Sequence, residues 1–497
     1  MINLRKPIVA IVLFIVVVIY LITAYFSTGF HNADEHFQLI EFAQYKLGYS
    51  NVQDLAWEYG AKIRPGLQPL VCYVVFSILS VFHINDPYVL AFVLRAITAL
   101  LAVGIIFKFF TSTVNNVPTH YHLIYFILSY TLWFLPYINV RFSSETWSGL
   151  FFLWAIAITH NGFADKARNY YLLGVVLGIS VLFRCQLVLC AVGLGLWLLL
   201  IVHERLRNLL KTTLAFVIIM VAGIMVDWWL YGEFTLSIYN YFHANIVEDV
   251  ASRFGVSPWY EYIIYVVREP GPFGIFIFFS FLILVLKAPK NILIWVIAPY
   301  IIVHSIIPHK EVRFLFPLAN FVPLILIQGF LLVPSPNVSG LKFTKSIVLV
   351  ILGLVNIAGL ICVGTKGAGN TKMTITSIIH RHWSDERVNL LFIKGSNPYA
   401  DSVFPRNMFY RNDSVGLTEL VTVWQYNFQH LRKSGQTNLL VMPQSEITGP
   451  KTIARISELG LRKVCESIPW FDRFVIKFYK RSLLADNLIL FEFSEGQ

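Results

Sequence analysis

Apolar stretches long enough to cross a bilayer recur along this chain, and nothing else in the sequence restricts its fold as strongly. A hydrocarbon core about 30 Å thick takes about 20 apolar residues of helix, because no water is there to satisfy an open backbone. Such stretches occupy residues 7–26, 88–110, 121–138, 212–231, 292–307, 314–333 and 347–363, with shorter ones at 67–82, 143–159, 170–202 and 273–286. Read on hydropathy they make about eleven spans. With 57% hydrophobic and only 13% charged residues over 497 positions, a soluble multidomain protein is excluded. The expected class is an all-α polytopic membrane protein.

Arg5 and Lys6 precede a first run that is too long for a signal-peptide core and lacks a small-residue cleavage site. An uncleaved, cytoplasmic N-terminus is expected, which turns the 27–64 loop outward. Basic stretches at 165–168, 203–207, 287–290 and 342–345 suit inner loops, leaving 232–271 and 305–313 outside. That assignment conflicts in parity if 65–82 and both halves of 170–202 all span. Arg184 and Gln186 in the middle of the latter predict a broken helix lining a cavity, since charge at membrane depth must face protein or water.

The long runs end at 363, and Gly364, Gly367 and Gly369 follow closely. We expect a membrane domain over 1–363 and a small α/β extracytoplasmic domain over 364–497, with strands at 438–442 and 474–479 and a helix at 451–459. Asn412, two residues before Ser414, fits a glycosylation acceptor in that tail. The net charge of +11 fits basic inner loops and anionic head groups, not nucleic acid. The five cysteines show neither a disulfide framework nor metal-ligand spacing.

Four constellations carry chemistry. In the first outward loop, Asn32 followed by Glu35 resembles a capping box that starts a helix. On it Asp34, Gln38 and Glu41 share a polar face, while Phe37, Ile40 and Tyr45 suit the membrane interface. A carboxylate fixed there could accept a proton from an attacking sugar hydroxyl. Asp34 and Glu35 equally fit a local role at the helix N-terminus, and by residue pattern alone that role is the commoner.

The second is Trp57-Glu58-Tyr59 with Arg64, in which aromatic rings suit a sugar face and a guanidinium suits a phosphate. The third is His309-Lys310-Glu311 with Arg313, three cationic side chains within five residues, suited to a departing phosphate. The fourth comprises Asp227, Tyr239, Asn240 and Trp259 in the 232–271 region, where aromatics and amides suit carbohydrate. An interfacial aromatic and basic belt is the commoner explanation of the second, and an aromatic belt explains the fourth equally well. Arg141, close to Ser143 and Glu145, and Arg184 are further charges at membrane depth.

As an ordered set these pieces resemble glycosyltransferase family 22 of the GT-C fold. The motifs are Ala33-Asp34-Glu35-His36-Phe37-Gln38 with Glu41, Trp57-Glu58-Tyr59 with Arg64, Asp227 with Leu230-Tyr231-Gly232 and Tyr239-Asn240, Phe254-Gly255 with Pro258-Trp259-Tyr260, His309-Lys310-Glu311 with Arg313-Phe314, and Leu440-Val441-Met442-Pro443 in the tail. Within the family, the likeness is greatest to the enzymes that add the third mannose of the glycosylphosphatidylinositol precursor. The sequence departs from the family pattern at Ala33, Pro65, Cys185-Gln186 and around Pro270.

The resemblance implies an inverting transfer of mannose from a polyprenyl (dolichyl) phosphate to a lipid-linked glycan or glycosylphosphatidylinositol-like acceptor. Asp34 matches the base and Glu35 a supporting acid. It places the site on the lumenal side of the endoplasmic reticulum membrane, or the periplasmic side of a bacterial plasma membrane. No cofactor is required, although a divalent metal on Asp34 and Glu35 is compatible with the chemistry. The rivals are a polysaccharide ligase and a transporter of glycolipids. A transporter should concentrate its charges within the spans, whereas here they crowd the outward loops.

Overall fold

The computed structural model describes residues 6–160, 167–333, 339–368, 372–400, 409–424, 428–447, 449–479 and 487–494. Arg5, residues 165 and 166, and Gly369, used above as topology and boundary signals, lie outside them. The chain divides into two compact units. One comprises Met1–Thr23, Trp57–Val71 and Arg95–Val363, and the other Ala24–Ala56, Cys72–Leu94 and Gly364–Gln497.

The first unit is helical. Among the described residues, Pro7–Phe26, Pro87–Asn116, Leu206–Tyr231, Val312–Leu331 and Ile347–Thr365 are long and apolar enough to cross a membrane. Pro272–Lys287 and Ile292–Ile306, bent by 116° at their junction, make a sixth if taken as one span. The hydropathy count of about eleven is not reached on this measure, because several apolar runs fold as short pieces. Residues 143–159 become Ser144–His160, whose 17 residues extend about 25 Å. Residues 121–138 divide into His122–Thr131 and Phe134–Asn139. The 342–345 stretch expected as a loop lies inside the helix Ser339–Thr365.

The 170–202 run does break. Ala167–Phe183 ends where Arg184 takes an extended backbone, φ −151° and ψ 110°, and a single 3-10 turn precedes Val188–Leu200. Ala167–Phe183 packs on Leu206–Tyr231 through Gly174, where any Cβ would sit 2.1 Å from the Thr212 carbonyl oxygen. Small residues at such contacts suit lipid, where close packing drives helix association. Asn139 and Asn320 exchange two amide hydrogen bonds of 2.9 Å in the interior, so neither amide is left unsatisfied.

The second unit contains a five-stranded sheet of β1 (Val388–Ile393), β2 (Val415–Leu420), β3 (Thr437–Pro443), β4 (Leu461–Glu466) and β5 (Leu488–Phe493). The order is β2-β1-β3-β5-β4, with β1 parallel to β2 and β3, and β5 antiparallel to its neighbours. Every residue of β1 is buried. Leu390 and Phe392 join one apolar cluster, while Leu391 and Ile393 join another, as alternation across a doubly covered strand requires.

The expected strand at 438–442 and helix at 451–459 correspond to β3 and to Pro450–Glu458. The expected strand at 474–479 is instead part of the helix Trp470–Tyr479. Its apolar residues at 471, 474, 475 and 478 follow the helical period, which outweighs the β propensity of the individual residues.

Candidate active site

Of the four constellations singled out from the sequence, the first lies in the second unit and the other three in the first. In the second unit, Ala33–Phe37 forms a five-residue helix, and Ile40–Lys46 starts a new one after Gln38 and Leu39. The Asn32 side chain accepts a hydrogen bond from the Asp34 N–H at 3.1 Å, and Glu35 Oε2 accepts from the His31 N–H at 2.8 Å. This is the expected capping box with both of its bonds displaced by one residue toward the N-terminus.

Asp34 is half-buried, whereas Glu35, Gln38 and Glu41 are buried. Glu41 Oε1 lies 2.9 Å from His36 Nε2 and accepts the Phe409 N–H at 3.1 Å. Phe37 and Ile40, expected to face the membrane interface, are buried in protein instead. The break after Phe37 rotates the second helix, so the run does not present one continuous apolar stripe.

The first unit holds the basic residues. Arg184 Nη1 and Arg313 Nη1 both donate to Glu145 Oε1, at 2.8 and 3.0 Å. Arg313 also grips Glu311 with a fork, Nε to Oε2 at 2.7 Å and Nη2 to Oε1 at 2.8 Å. The two guanidiniums lie against the Phe314 ring, 4.9 and 5.2 Å from its centre. Glu145 belongs to the Ser144–His160 helix, Arg184 to the break, and Arg313 and Phe314 to the turn after Glu311. Three elements distant in sequence thus converge on one carboxylate.

His309 Nε2 lies 3.0 Å from Glu311 Oε1, and its Nδ1 3.3 Å from the Gly255 carbonyl oxygen. The Glu311 hydrogen bond raises the His309 pKa against the effect of burial. Burial would raise the Glu311 carboxyl, but the hydrogen bonds from Arg313 and His309 prevail and hold it well below the usual carboxylate range. Lys310 has its pKa lowered by burial, and its ammonium donates to the carbonyls of Ser257 at 3.0 Å and Ile307 at 2.7 Å. It ties the loop together.

Arg64 reaches this group through Tyr241. Its guanidinium lies 5.5 Å from the Tyr241 ring centre, and the Tyr241 hydroxyl accepts from Gln186 Nε2 at 2.6 Å. Burial raises the Tyr241 hydroxyl, opposed by the charges of Arg64, Arg184 and Arg313, so all three guanidiniums are felt there. Glu58 is buried, 3.8 Å from Arg64. With His309 protonated, four cationic groups, Arg64, Arg184, Arg313 and His309, face the carboxylates of Glu58, Glu145 and Glu311, and the cluster is anion-seeking.

Asp227 is a brace. Its carboxylate accepts the Gly66 N–H at 2.7 Å and the Ser237 hydroxyl at 2.5 Å, joining the segment after Arg64 to the loop that bears Tyr241. Gly66 is required there, since a Cβ would meet the Val226 carbonyl oxygen at 2.9 Å. Asn240 donates to the Lys62 carbonyl, and Trp57 stacks on Phe254. Trp57, Tyr239 and Trp259 are exposed, with Trp259 at 68%. Arg141 is buried, its guanidinium 5.6 Å from the Tyr137 ring centre.

The sequence offers Glu145 only as a neighbour of Arg141 and Tyr241 only as one aromatic of the fourth constellation, with no role of its own for either. The signal for Glu145 was present, a carboxylate within an apolar run, whereas that for Tyr241 was indistinguishable from an aromatic belt. Among the described residues, no group of three or more His, Cys, Asp or Glu side chains is placed to hold a metal ion.

The sequence profile of the Alg9-like mannosyltransferase family matches residues 11–392. The protein called GPI mannosyltransferase 3 in Candida albicans is 25% identical over 292 residues, 58% of this chain and 57% of that one. The one of the same name in Drosophila melanogaster is 24% identical over 408 residues, 79% and 70% of the two chains. In Bos taurus, GPI alpha-1,2-mannosyltransferase 3 is 23% identical over 302 residues, 58% and 53%. The chain thus spans little more than half the length of several curated relatives it matches.

Among solved structures, ArnT from Cupriavidus metallidurans bound to undecaprenyl phosphate superimposes with a TM-score of 0.55 at 10% identity, covering 99% of both chains. That likeness is one of fold, and it is the fold of a GT-C membrane glycosyltransferase. The apolar helices agree with an integral membrane protein. Matched by the family profile over most of its length, the chain belongs to the Alg9-like mannosyltransferase family.

Proposed function

We propose that this protein transfers mannose, with inversion, from a polyprenyl-phosphate mannose to a hydroxyl of a glycosylphosphatidylinositol-like or other lipid-linked acceptor. The observation that carries this reading is the buried convergence of Arg184 and Arg313 on Glu145, with Arg64 and His309 close by. A donor already activated as a phosphodiester releases a phosphomonoester, whose developing charge needs cationic neighbours and no protonation. The relatives named as GPI mannosyltransferases support the sugar and the acceptor class. The ArnT structure, which holds undecaprenyl phosphate, supports a polyprenyl-phosphate donor.

In this reading Asp34 takes the proton from the acceptor hydroxyl. The new bond forms to the anomeric carbon as the bond to the phosphate oxygen breaks. The phosphate leaves toward Arg64, His309, Arg184 and Arg313, while Glu145 and Glu311 hold the arginines in place and Lys310 braces their loop. Gln38 and the exposed Trp57, Tyr239 and Trp259 bind sugar, Asn240 steadies their loop, and Arg141 shapes the interior. The site faces the lumen or periplasm, the membrane domain is 1–363, and 364–497 is extracytoplasmic.

The test is transfer from radiolabelled polyprenyl-phosphate mannose in membranes containing the unmutated protein or Asp34→Asn. We expect transfer by the former and a loss of about 10²–10⁴-fold in the latter, the range for removing a general base. Undiminished transfer by a folded Asp34→Asn would remove Asp34 from this role. No transfer by the unmutated protein would overturn the reaction.

A further inference from the structure

A five-residue helix has no stability of its own, because nucleation fixes several residues for a single hydrogen bond. Ala33–Phe37, which carries Asp34 and Glu35, must therefore be held by its surroundings. The strongest visible hold is on His36, 1% exposed. Its ring lies between Phe30, with centres 5.2 Å apart and planes at 23°, and Tyr410, at 5.3 Å and 21°. Its Nε2 meets Glu41 Oε1, which also accepts the Phe409 N–H.

The column of rings continues beyond Tyr410. Tyr88 lies 4.9 Å from Tyr410 and 4.9 Å from His380, and His380 Nε2 lies 2.5 Å from Asp86 Oδ2. Phe409 stacks on Phe76 with the two planes 2° apart. Two consecutive residues of the C-terminal part thus hold the acidic helix through its histidine, Tyr410 by stacking on the His36 ring and Phe409 by donating its N–H to the Glu41 carboxylate that meets His36.

We propose that His36, Glu41 and the Phe409–Tyr410 pair are positioning residues that set the placement of Asp34. The C-terminal part of the chain thereby governs turnover by the first outward loop. This rests on the reading of Asp34 as the base. It also gives Glu41 a different task from contacting sugar, since its Oε1 is occupied on both sides by protein. A base displaced by an ångström loses much of its effect, so a clamp of this kind should appear in kcat.

The experiment compares the full-length unmutated protein, Tyr410→Leu, Tyr410→Phe and Glu41→Ala in membranes or detergent. Readouts are kcat and KM for polyprenyl-phosphate mannose, and deuterium exchange over residues 31–37. We expect Tyr410→Leu and Glu41→Ala to lower kcat about 10- to 100-fold with little change in the donor KM. Exchange over 31–37 should rise in both, with the protection of the spanning helices retained. Tyr410→Phe, which keeps the ring, should restore both readouts.

Unchanged exchange over 31–37 in Tyr410→Leu overturns the clamp, as does a loss confined to KM. Exchange reads the clamp independently of transfer. A protein that transfers nothing would therefore count against the proposed reaction, while the clamp would stand or fall on exchange.

Discussion

Arg313 reaches Glu145 across 168 residues of sequence, its Nη1 donating 3.0 Å to Glu145 Oε1, the same oxygen that receives Arg184. A single buried carboxylate therefore keeps two guanidiniums close together, where alone they would repel. Removing one member of a buried ion pair leaves an uncompensated charge and costs about 3–5 kcal/mol.

Glu145→Gln should accordingly lower the thermal unfolding midpoint of the detergent-purified chain by several degrees and weaken donor binding. An unchanged midpoint would mean that the two arginines find other partners.

The loop holding His309 and Glu311 should respond to pH from both sides. Glu311, with its pKa depressed, contributes stability that is present above the ordinary carboxylate pKa of about 4.3 and lost as pH falls through its folded value. His309, with its pKa raised, contributes stability that is complete below about 6.5 and lost as pH rises through its folded value. The loop should therefore be firmest between the two. The midpoint of the unmutated chain should fall on going from pH 6 to pH 9 by more than that of His309→Asn. Parallel curves would show that the imidazolium contributes nothing.

Gly66→Ala places a methyl group against the Val226 carbonyl oxygen and within 3.2 Å of the Leu230 Cβ. Forcing a group into such a contact costs about 1–3 kcal/mol. Because the Gly66 N–H is also donated to Asp227, the strain should move Arg64. The expected outcome is a lower unfolding midpoint together with a raised KM for the polyprenyl-phosphate donor.

Glu35 acts on the backbone through its bond from the His31 N–H. Glu35→Gln keeps an acceptor for that donor and should retain most transfer. Glu35→Ala leaves the N–H unsatisfied and should lose about 1 kcal/mol, as the loss of a helix cap does, along with turnover. Equal loss in both variants would assign Glu35 an acid's role in the reaction itself.

By itself the sequence determined that the chain lives in a membrane, since runs such as 7–26 and 347–363 have no other favourable solvent. It also located the break at Arg184, the capped start at Asn32 and the dense cluster at 309–313, because charge at membrane depth, capping and local crowding are all written over a few residues. Tertiary structure decided what is written over many. Glu145 became the meeting point of two arginines, and Asp227 and Lys310 became braces. Glu41 turned from a place on one polar face with Asp34 and Gln38 to a buried partner of His36 and Phe409. Those outcomes depend on which distant elements pack together, and neither periodicity nor motif spacing carries that.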